Sequence, residues 1–184
     1  RRSQAERIKS ALHAFFGAAF STSLPMRIGV LSDTHDRLPA IRAALERFSQ
    51  LGLHTLIHPG DIVAPFAARV LATWPGELYV TFGNNDGERA GLQKVLPQIQ
   101  DGPLFISRNG KTILVQHFID WCRAEDVRKA DVIITGHTHE FGVHEKDGRL
   151  FLNPGECCGW VTGHCTIAVL DLDKRQIEQI EITP

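Results

Sequence analysis

The sequence predicts an α/β domain with a metal site at the carboxyl ends of its strands. From residue 26 onward, short apolar runs alternate with stretches whose apolar residues recur at helical spacing. Five of the apolar runs end in a loop that carries Asp, Asn or His. Because the carboxyl ends of strands in an open α/β sheet line one crevice, we expect these five loops to converge in space.

The composition restricts the chain to one ordinary globular domain. It has 184 residues, of which 43% are hydrophobic and 22% charged, and this balance excludes a disordered chain. No apolar run reaches the roughly 18 residues that a membrane span needs. A formal net charge of −1 disfavours binding to long nucleic acid. The four cysteines contain no Cys-x-x-Cys pair, so we expect free thiols and a cytoplasmic protein.

Residues 1–25 differ from the rest, and we treat them as a basic N-terminal extension of a domain over residues 26–184. They hold four basic residues and one acid and so carry a net charge of +3. Because the whole chain has a net charge of −1, residues 26–184 carry −4. Apolar residues recur on one helical face: Ile8, Leu12, Phe15, Phe16, Ala19 and Phe20. This pattern predicts an amphipathic helix that Pro25 stops. Three interpretations stay open: an organelle-targeting leader, an accessory helix that docks on the domain or a second subunit, and sequence upstream of a start at Met26.

The elements of the domain follow from periodicity and turn residues. Strands are predicted at 27–31, 54–58, 77–81, 104–107, 111–116 and 131–135, with β-rich segments at 141–145, 149–152, 164–172 and 175–182. Helices are predicted at 39–51, 64–73 and 123–129. Pro39 in a first turn and Gly52 after the last turn delimit the first helix. The Asn109-Gly110 dipeptide predicts a hairpin between the fourth and fifth strands.

Seven side chains in the strand-end loops are candidate metal ligands. They are Asp33, His35, Asp61, Asn84, His117, His137 and His139. Carboxylate, imidazole and amide oxygen together suit borderline divalent ions such as Mn²⁺, Fe²⁺ or Zn²⁺. Seven ligands exceed the number of one tetrahedral site and are enough for two ions that share a carboxylate. A two-metal site supplies hydroxide near neutral pH and clamps the attacking and leaving oxygens of an in-line displacement, which suits a phosphate ester.

The same residues resemble the motifs of the calcineurin-like metallophosphoesterases. The similarity covers about residues 26–184 and comprises Asp33-Thr34-His35, Gly60-Asp61, Gly83-Asn84-x-Asp86, a strand-end His117 and Gly136-His137-x-His139. The short chain and its Asn153-Pro154-Gly155 turn are most similar to the small YfcE-like phosphodiesterases. The resemblance implies a four-layer α/β/β/α sandwich and a phosphodiesterase that uses a hydroxide bridging two divalent ions.

The resemblance also implies a role for each ligand. One ion would take Asp33, His35, Asp61 and His139, and the other would take Asp61 as a bridge with Asn84, His117 and His137. The expected catalytic residues are Asn84, His117 and Asp86. Asn84 and His117 would flank the leaving group, while Asp86 is expected to orient a ligand or water, with direct contact to the substrate as the alternative. Mn²⁺ is the first ion to expect, with Ni, Fe, Zn and Mg as alternatives.

Two positions depart from the family pattern. Larger members carry a His, which protonates the leaving group, where this chain has Asn85, and an amide cannot donate a proton as a general acid. This predicts a preference for diesters with good leaving groups over monoesters. Phe118 replaces the usual Gly after His117 and narrows the pocket. Substrate contacts are expected from Asn85 and from loops around 87–103 and 118–126, with Arg89, Trp121 and Arg123 as candidates.

A binding scaffold on the same fold is the rival hypothesis. The metallophosphoesterase-like subunit of the retromer coat resembles this family and acts chiefly through protein contacts. Such relatives typically lose ligands, whereas all seven positions are filled here. We therefore expect a small phosphodiester as the partner, with no membrane and no long nucleic acid, while a homo-oligomer stays open. Cys157 and Cys158 are expected to be inert thiols.

Overall fold

The computed structural model describes residues 26–184, so the predicted N-terminal helix lies outside the described residues. Ten strands lie within the described residues: β1 Arg27–Val30, β2 Thr55–His58, β3 Glu77–Val80, β4 Leu104–Arg108, β5 Lys111–Val115, β6 Val132–Ile134, β7 Phe141–Lys146, β8 Arg149–Pro154, β9 Thr166–Asp171 and β10 Gln176–Glu181. The α-helices are α1 Leu38–Gln50, α2 Pro65–Leu71, α3 Arg89–Val95 and α4 Ala124–Arg128, with a 3₁₀ turn at Ile119–Trp121. Within this part of the chain, no helix combines the length and the apolar character needed to cross a membrane.

The strands form two five-stranded sheets. The first has the order β10-β9-β1-β2-β3 and the second the order β4-β5-β6-β8-β7. Strands β1, β2 and β3 run parallel in the first sheet, and β5, β6 and β8 run parallel in the second. Parallel neighbours end at the same edge of a sheet, so the loops that follow β1, β2, β3, β5 and β6 are brought together.

Three apolar layers hold the sheets and helices together. Side chains from the facing sides of both sheets, such as Ile28 and Val132, form a core between the sheets. The buried stripe of α1, which includes Ile41 and Phe48, packs on the outer side of the first sheet. A smaller cluster around Ile133 covers the outer side of the second sheet, next to the 3₁₀ turn and α4. The predicted four-layer α/β/β/α sandwich is therefore confirmed.

The structure corrects one sequence-based expectation about local structure. Residues 87–103 were expected to be loop, but α3 lies within them. Gly91 interrupts the helical pattern of this segment, and an internal Gly costs a helix about 1 kcal/mol. Burial of Leu92, Leu96 and Ile99 in the outer core stabilises α3 through tertiary packing that periodicity alone does not reveal.

Candidate metal centre

The five loops converge at one edge of the sandwich through backbone and side-chain hydrogen bonds. The Asp33 amide donates to the Gly60 carbonyl at 3.2 Å, which joins the loops after β1 and β2. The Gly136 amide donates to the His117 carbonyl at 2.9 Å, which joins the loops after β5 and β6. The two sheets are joined by the His137 amide, which donates to Asp33 Oδ2 at 3.1 Å. Candidate ligands far apart in sequence therefore lie in one cluster.

Two glycines allow the loops to approach this closely. A Cβ atom on Gly83 would lie 2.2 Å from Asp61 Oδ1, and one on Gly136 would lie 2.6 Å from Asp33 Oδ2. Both distances are far below van der Waals contact, so a side chain at either position would displace a carboxylate from the cluster. These contacts explain why glycine stands directly before Asn84 and His137.

Backbone strain is concentrated at the candidate ligands. Ten non-glycine residues among those described have positive φ, and five of them are candidate ligands: Asp33, His35, Asp61, His137 and His139. Their φ angles of 37° to 71° fall in the left-handed region, which costs a non-glycine residue about 1 kcal/mol or more. Such strain persists where the surrounding structure fixes it, and it is characteristic of functional sites.

One half of the cluster is built from His35, His139 and Asp33. The two imidazole rings stack with centroids 5.0 Å apart. Nε2 of His139 lies 3.6 Å from Asp33 Oδ1, and Nε2 of His35 lies 3.9 Å from the same oxygen. Asp33 has no exposed surface, and burial raises its pKa.

The other half gathers around Asn84. Its Oδ1 lies 2.8 Å from His117 Nε2 and 2.8 Å from His137 Nδ1. His117 is fully buried, and its Nδ1 donates to the Pro59 carbonyl at 2.9 Å, which turns Nε2 towards the cluster. Asn84 is exposed, so this half of the cluster is open to solvent.

Asp61 lies between the two halves. Its Oδ2 is 3.5 Å from His35 Nε2 and 3.4 Å from His117 Nε2. Asn85 donates to both oxygens of this carboxylate, from its amide to Oδ1 at 2.8 Å and from Nδ2 to Oδ2 at 2.7 Å. Burial opposes ionisation of Asp61, but the bonds and charge from His117 and the bonds from Asn85 outweigh it and hold its pKa well below the usual value.

The residues present fit a divalent metal. Nε2 of His35 is buried and has no hydrogen-bond partner among residues 26–184, although an unpaired buried nitrogen is costly. Asp33, Asp61 and His117 place one ligand atom each within 4.8 Å of one another, as do His35, His139 and Cys158. The donors are carboxylate, imidazole and amide oxygen, the set expected for Mn²⁺, Fe²⁺ or Zn²⁺.

Glu156 is a site residue whose role was not predicted from the sequence. It has no exposed surface, and its Oε2 lies 2.7 Å from His139 Nδ1. The carboxylate also accepts hydrogen bonds from the amides of Trp160, Val161 and Thr162. Glu156 is the only acid in the apolar stretch from Leu150 to Val161, and a lone buried charge must be paired. The position of a single acid in this apolar stretch was the sequence feature that could have identified Glu156 as a site residue.

Cys158 lies beside the first half of the cluster. Its Sγ donates to Glu156 Oε2 at 3.1 Å. Burial raises the pKa of this thiol and also that of Cys157, so both stay protonated near neutral pH. All four cysteines of the chain are free.

Asp86 lies behind the ligands and binds backbone. Its two oxygens accept hydrogen bonds from four amides, those of Asp61, Ile62, Val63 and Gly83, at 2.7 to 3.0 Å. Its exposed fraction is 3%, so the carboxylate faces the loop interior. The geometry gives Asp86 the task of fixing the loops that carry Asp61 and Asn84.

Of the proposed substrate-contact residues Asn85, Arg89 and Arg123, only Asn85 contacts a candidate ligand within residues 26–184. Asn85 contacts the central carboxylate, as described above. Arg89 pairs with Asp101 and lies over the Phe82 ring, with Cζ 3.7 Å from the ring centroid. Arg123 is exposed and pairs with Glu125 at 3.5 Å. Among the contacts within residues 26–184, neither arginine bonds to a candidate ligand.

Aromatic rings border the second half of the cluster. The ring of Phe118 packs on His137 with centroids 4.2 Å apart. Trp121 lies 5.9 Å from His117 and meets Phe118 edge to face at 6.1 Å. The aromatic edge predicted from Phe118 is thus extended by Trp121.

Fold and site together define a metallophosphoesterase. The chain belongs to the calcineurin-like phosphoesterase superfamily, whose domain model matches residues 26–175. A phosphodiesterase of Methanocaldococcus jannaschii, MJ0936, is 39% identical over 163 residues, which are 84% of this chain and 98% of the relative. The resemblance inferred from the motif residues is therefore confirmed at the level of the family.

Solved structures share the fold. A novel archaeal phosphodiesterase superposes with a TM-score of 0.74 at 35% identity, over 85% of this chain and 99% of that one. The E. coli phosphoesterase YfcE gives 0.68 at 21% identity, over 86% and 100%. Vps29 of Entamoeba histolytica, solved with Zn²⁺, gives 0.55 at 20% identity, over 85% and 99%. The last two likenesses concern the fold alone.

Proposed function

We propose that this protein is a phosphodiesterase that hydrolyses small phosphodiesters with two divalent ions. The observation that carries the proposal is the position of Asp61, whose Oδ2 lies 3.5 Å from His35 and 3.4 Å from His117. A carboxylate between two ligand groups is the arrangement that two ions sharing one ligand require. The 39% identity to a phosphodiesterase supports the same reaction class.

The ligand sets expected from the resemblance fit this geometry. Asp33, His35, Asp61 and His139 would hold one ion, and Asp61, Asn84, His117 and His137 would hold the other. When bound, such a pair of ions supplies hydroxide near neutral pH and neutralises charge at the reacting phosphoryl group. We propose Mn²⁺ as the first ion to test, on the basis of the donor set.

The chain's own residues keep the ligand nitrogens aimed into the site. Nδ1 of His117 donates to the Pro59 carbonyl, and Nδ1 of His139 faces the Glu156 carboxylate, so in each ring Nε2 is the nitrogen that faces the other candidate ligands. Fixing the tautomer in this way raises the basicity of a ligating imidazole. Asn85 holds both oxygens of Asp61 and so fixes the shared carboxylate.

Asn85 also supports the preference for diesters. It occupies the position of the general acid of larger relatives, and an amide has no proton to give to a poor leaving group. Esters whose leaving group departs as a stable anion do not need that proton. Activated diesters should therefore be cleaved faster than monoesters with poor leaving groups.

The test measures hydrolysis of phenyl phosphate, a monoester with a poor leaving group, and of bis(p-nitrophenyl) phosphate by metal-stripped protein with and without Mn²⁺. We expect Mn²⁺-dependent cleavage of the diester and its collapse in His117→Ala. His144→Ala is the matched control, because His144 is exposed on β7 and stacks on Phe151 away from the cluster. Faster monoester cleavage would contradict the argument from Asn85.

Metal titration of the same protein decides between the enzyme and the binding scaffold. Two Mn²⁺ bound per chain, together with diester turnover, would support the enzyme. Two ions bound without turnover of either ester would favour the scaffold.

Free thiols at all four cysteines suit a reducing compartment, and on that ground we propose a cytoplasmic location.

A further inference from the structure

Two exposed apolar side chains border the candidate metal centre. Six large apolar residues are exposed among residues 26–184: Phe66, Phe105, Trp121, Val143, Trp160 and Val161. Trp121 and Trp160 both contact residues of the cluster. Their exposed fractions are 49% and 63%, although tryptophan is usually largely buried.

Trp160 stands at the His35 end of the cluster. Its indole Nε1 donates to the His35 carbonyl at 3.3 Å. The Arg37 guanidinium lies 4.8 Å from the ring centroid, and the Trp160 amide donates to Glu156 Oε2 at 3.1 Å. The ring is therefore held in place by polar contacts while most of its surface faces solvent.

Trp121 stands at the His117 end. Its ring lies 5.9 Å from the His117 ring, and Phe118 supports it edge to face at 6.1 Å. The residue ends the 3₁₀ turn after β5, which fixes the backbone beside the ligand loop.

The contacts place the two tryptophans beside two different histidines that both approach Asp61. Trp160 is bonded to His35, whose Nε2 is 3.5 Å from Asp61 Oδ2. The same oxygen lies 3.4 Å from Nε2 of His117, next to Trp121. A phosphate at the cluster would thus have one aromatic platform near His35 and another near His117.

We propose that the substrate is a phosphodiester with a planar ring on each side of the phosphate, such as a short dinucleotide, and that Trp160 and Trp121 each stack on one ring. This inference rests on the proposed function. Base–aromatic stacking is favourable for any base because every base has a π face. Two rings already held in place lose little freedom when a ligand binds, which increases affinity.

The first test compares two activated diesters that differ in ring number. Thymidine 5′-p-nitrophenyl phosphate has a ring on each side, whereas ethyl p-nitrophenyl phosphate has one on the leaving side only. We expect Trp121→Ala and Trp160→Ala each to lower kcat/KM roughly tenfold for the two-ring diester. For the one-ring diester only one of the two variants should lose activity. Each Trp→Phe variant should retain most of the wild-type kcat/KM.

Phe105→Ala is the control. Phe105 is 40% exposed on the edge strand β4, beneath the Lys129 ammonium, and is not in the binding machinery. The Phe105→Ala variant should cleave both diesters with the kcat/KM of the wild type. Wild-type kinetics for both diesters in both tryptophan→alanine variants would overturn the inference and leave the two tryptophans to a protein-docking surface.

A binding measurement separates this inference from the proposed function. Metal-free protein is titrated with the dinucleoside monophosphate of thymidine while tryptophan fluorescence is followed. Saturable quenching that is reduced in both Trp121→Phe and Trp160→Phe would support stacking, even if no diester were cleaved. Absence of quenching would overturn the inference, even if the ethyl ester were cleaved and the proposed function stood.

Discussion

His139 and Glu156 form the closest contact between a candidate ligand and a buried carboxylate that is not itself a ligand. Nδ1 of His139 lies 2.7 Å from Oε2 of Glu156. Burial of Glu156 opposes its ionisation, but the hydrogen bonds from His139 and Thr162 outweigh burial and lower its pKa to about 2. A carboxylate that stays charged at neutral pH keeps the imidazole proton on Nδ1 and leaves Nε2 for a metal.

Glu156→Gln should therefore weaken metal binding. The variant loses the charge that fixes the His139 tautomer and places an amide group among N–H donors. Removal of such a supporting partner typically lowers metal affinity about 10- to 100-fold. Titration calorimetry with Mn²⁺ measures the change.

The matched control is Glu181→Gln. Glu181 accepts a hydrogen bond from Nδ1 of His164 at 2.8 Å, nearly the same distance. Both of these side chains are exposed, and neither residue is a candidate metal ligand. Mn²⁺ affinity should not change in this variant. Equal affinities in wild type and Glu156→Gln would contradict the positioning role of Glu156.

Asp86→Asn should lower the free energy of unfolding, with only a small effect on the kcat of the folded enzyme. The buried carboxylate accepts four backbone amides, and an asparagine side chain would turn donors towards some of them. Loss of charged, buried hydrogen bonds costs about 2–4 kcal/mol. Urea unfolding of the metal-free protein measures this, with the exposed Asp101→Asn expected to change stability by less than about 1 kcal/mol.

A catalytic role for Asp86 predicts the opposite result. If Asp86 contacts the substrate, Asp86→Asn would remain as stable as the wild type while kcat falls. The two measurements on one variant therefore distinguish a backbone-fixing residue from a catalytic one.

Asn85→His should raise the ratio of monoester to diester cleavage. It supplies a proton donor where the chain has an amide, and general acid catalysis contributes about 10²–10⁴ in favourable geometry. The substitution also removes the 2.7 Å bond to Asp61 Oδ2, so diester cleavage should fall. Paired kcat/KM values for phenyl phosphate and bis(p-nitrophenyl) phosphate give the ratio, and an unchanged ratio would contradict the argument.

Stability should fall as the pH is lowered from about 6.5 towards 4 because of His58. This side chain is fully buried, accepts the Gly60 amide at Nδ1 and bonds the Thr34 hydroxyl at Nε2, each at 3.1 Å. Burial lowers its pKa to about 4. In this pH window the unfolded chain binds a proton that the native chain does not, so its stabilising contribution is present above pH 6.5 and lost as the pH falls.

The expected loss from this one group is on the order of 2 kcal/mol by pH 4.5. Urea unfolding of metal-free protein between pH 7.5 and 4.5 measures it, with His58→Gln as the comparison. The variant should show a shallower decline over that range. Parallel declines in the two proteins would show that other groups cause the pH dependence.

The family, the layered fold and the position of the site followed from a pattern local to each strand end. Buried parallel strands read as short apolar runs, and the residue types that follow them are visible without any tertiary information. Gly60, Gly83 and Gly136 belong to that pattern because each ligand loop must approach another closely. The chain order of such segments is therefore sufficient to predict that Asp33, Asp61 and their partners meet.

Other features depend on contacts between segments distant in sequence. Helix α3 exists because Leu92 finds a core to pack against, although Gly91 weakens its local signal. Glu156 is a site residue only because the loop after β8 brings its carboxylate to His139, which lies in the loop after β6. The sequence by itself determined the family and the residue types of the candidate ligands, through local patterns. Only the tertiary structure decided what supports each ligand and which aromatic rings border the cluster, because burial and hydrogen-bond partners arise when the two sheets pack together.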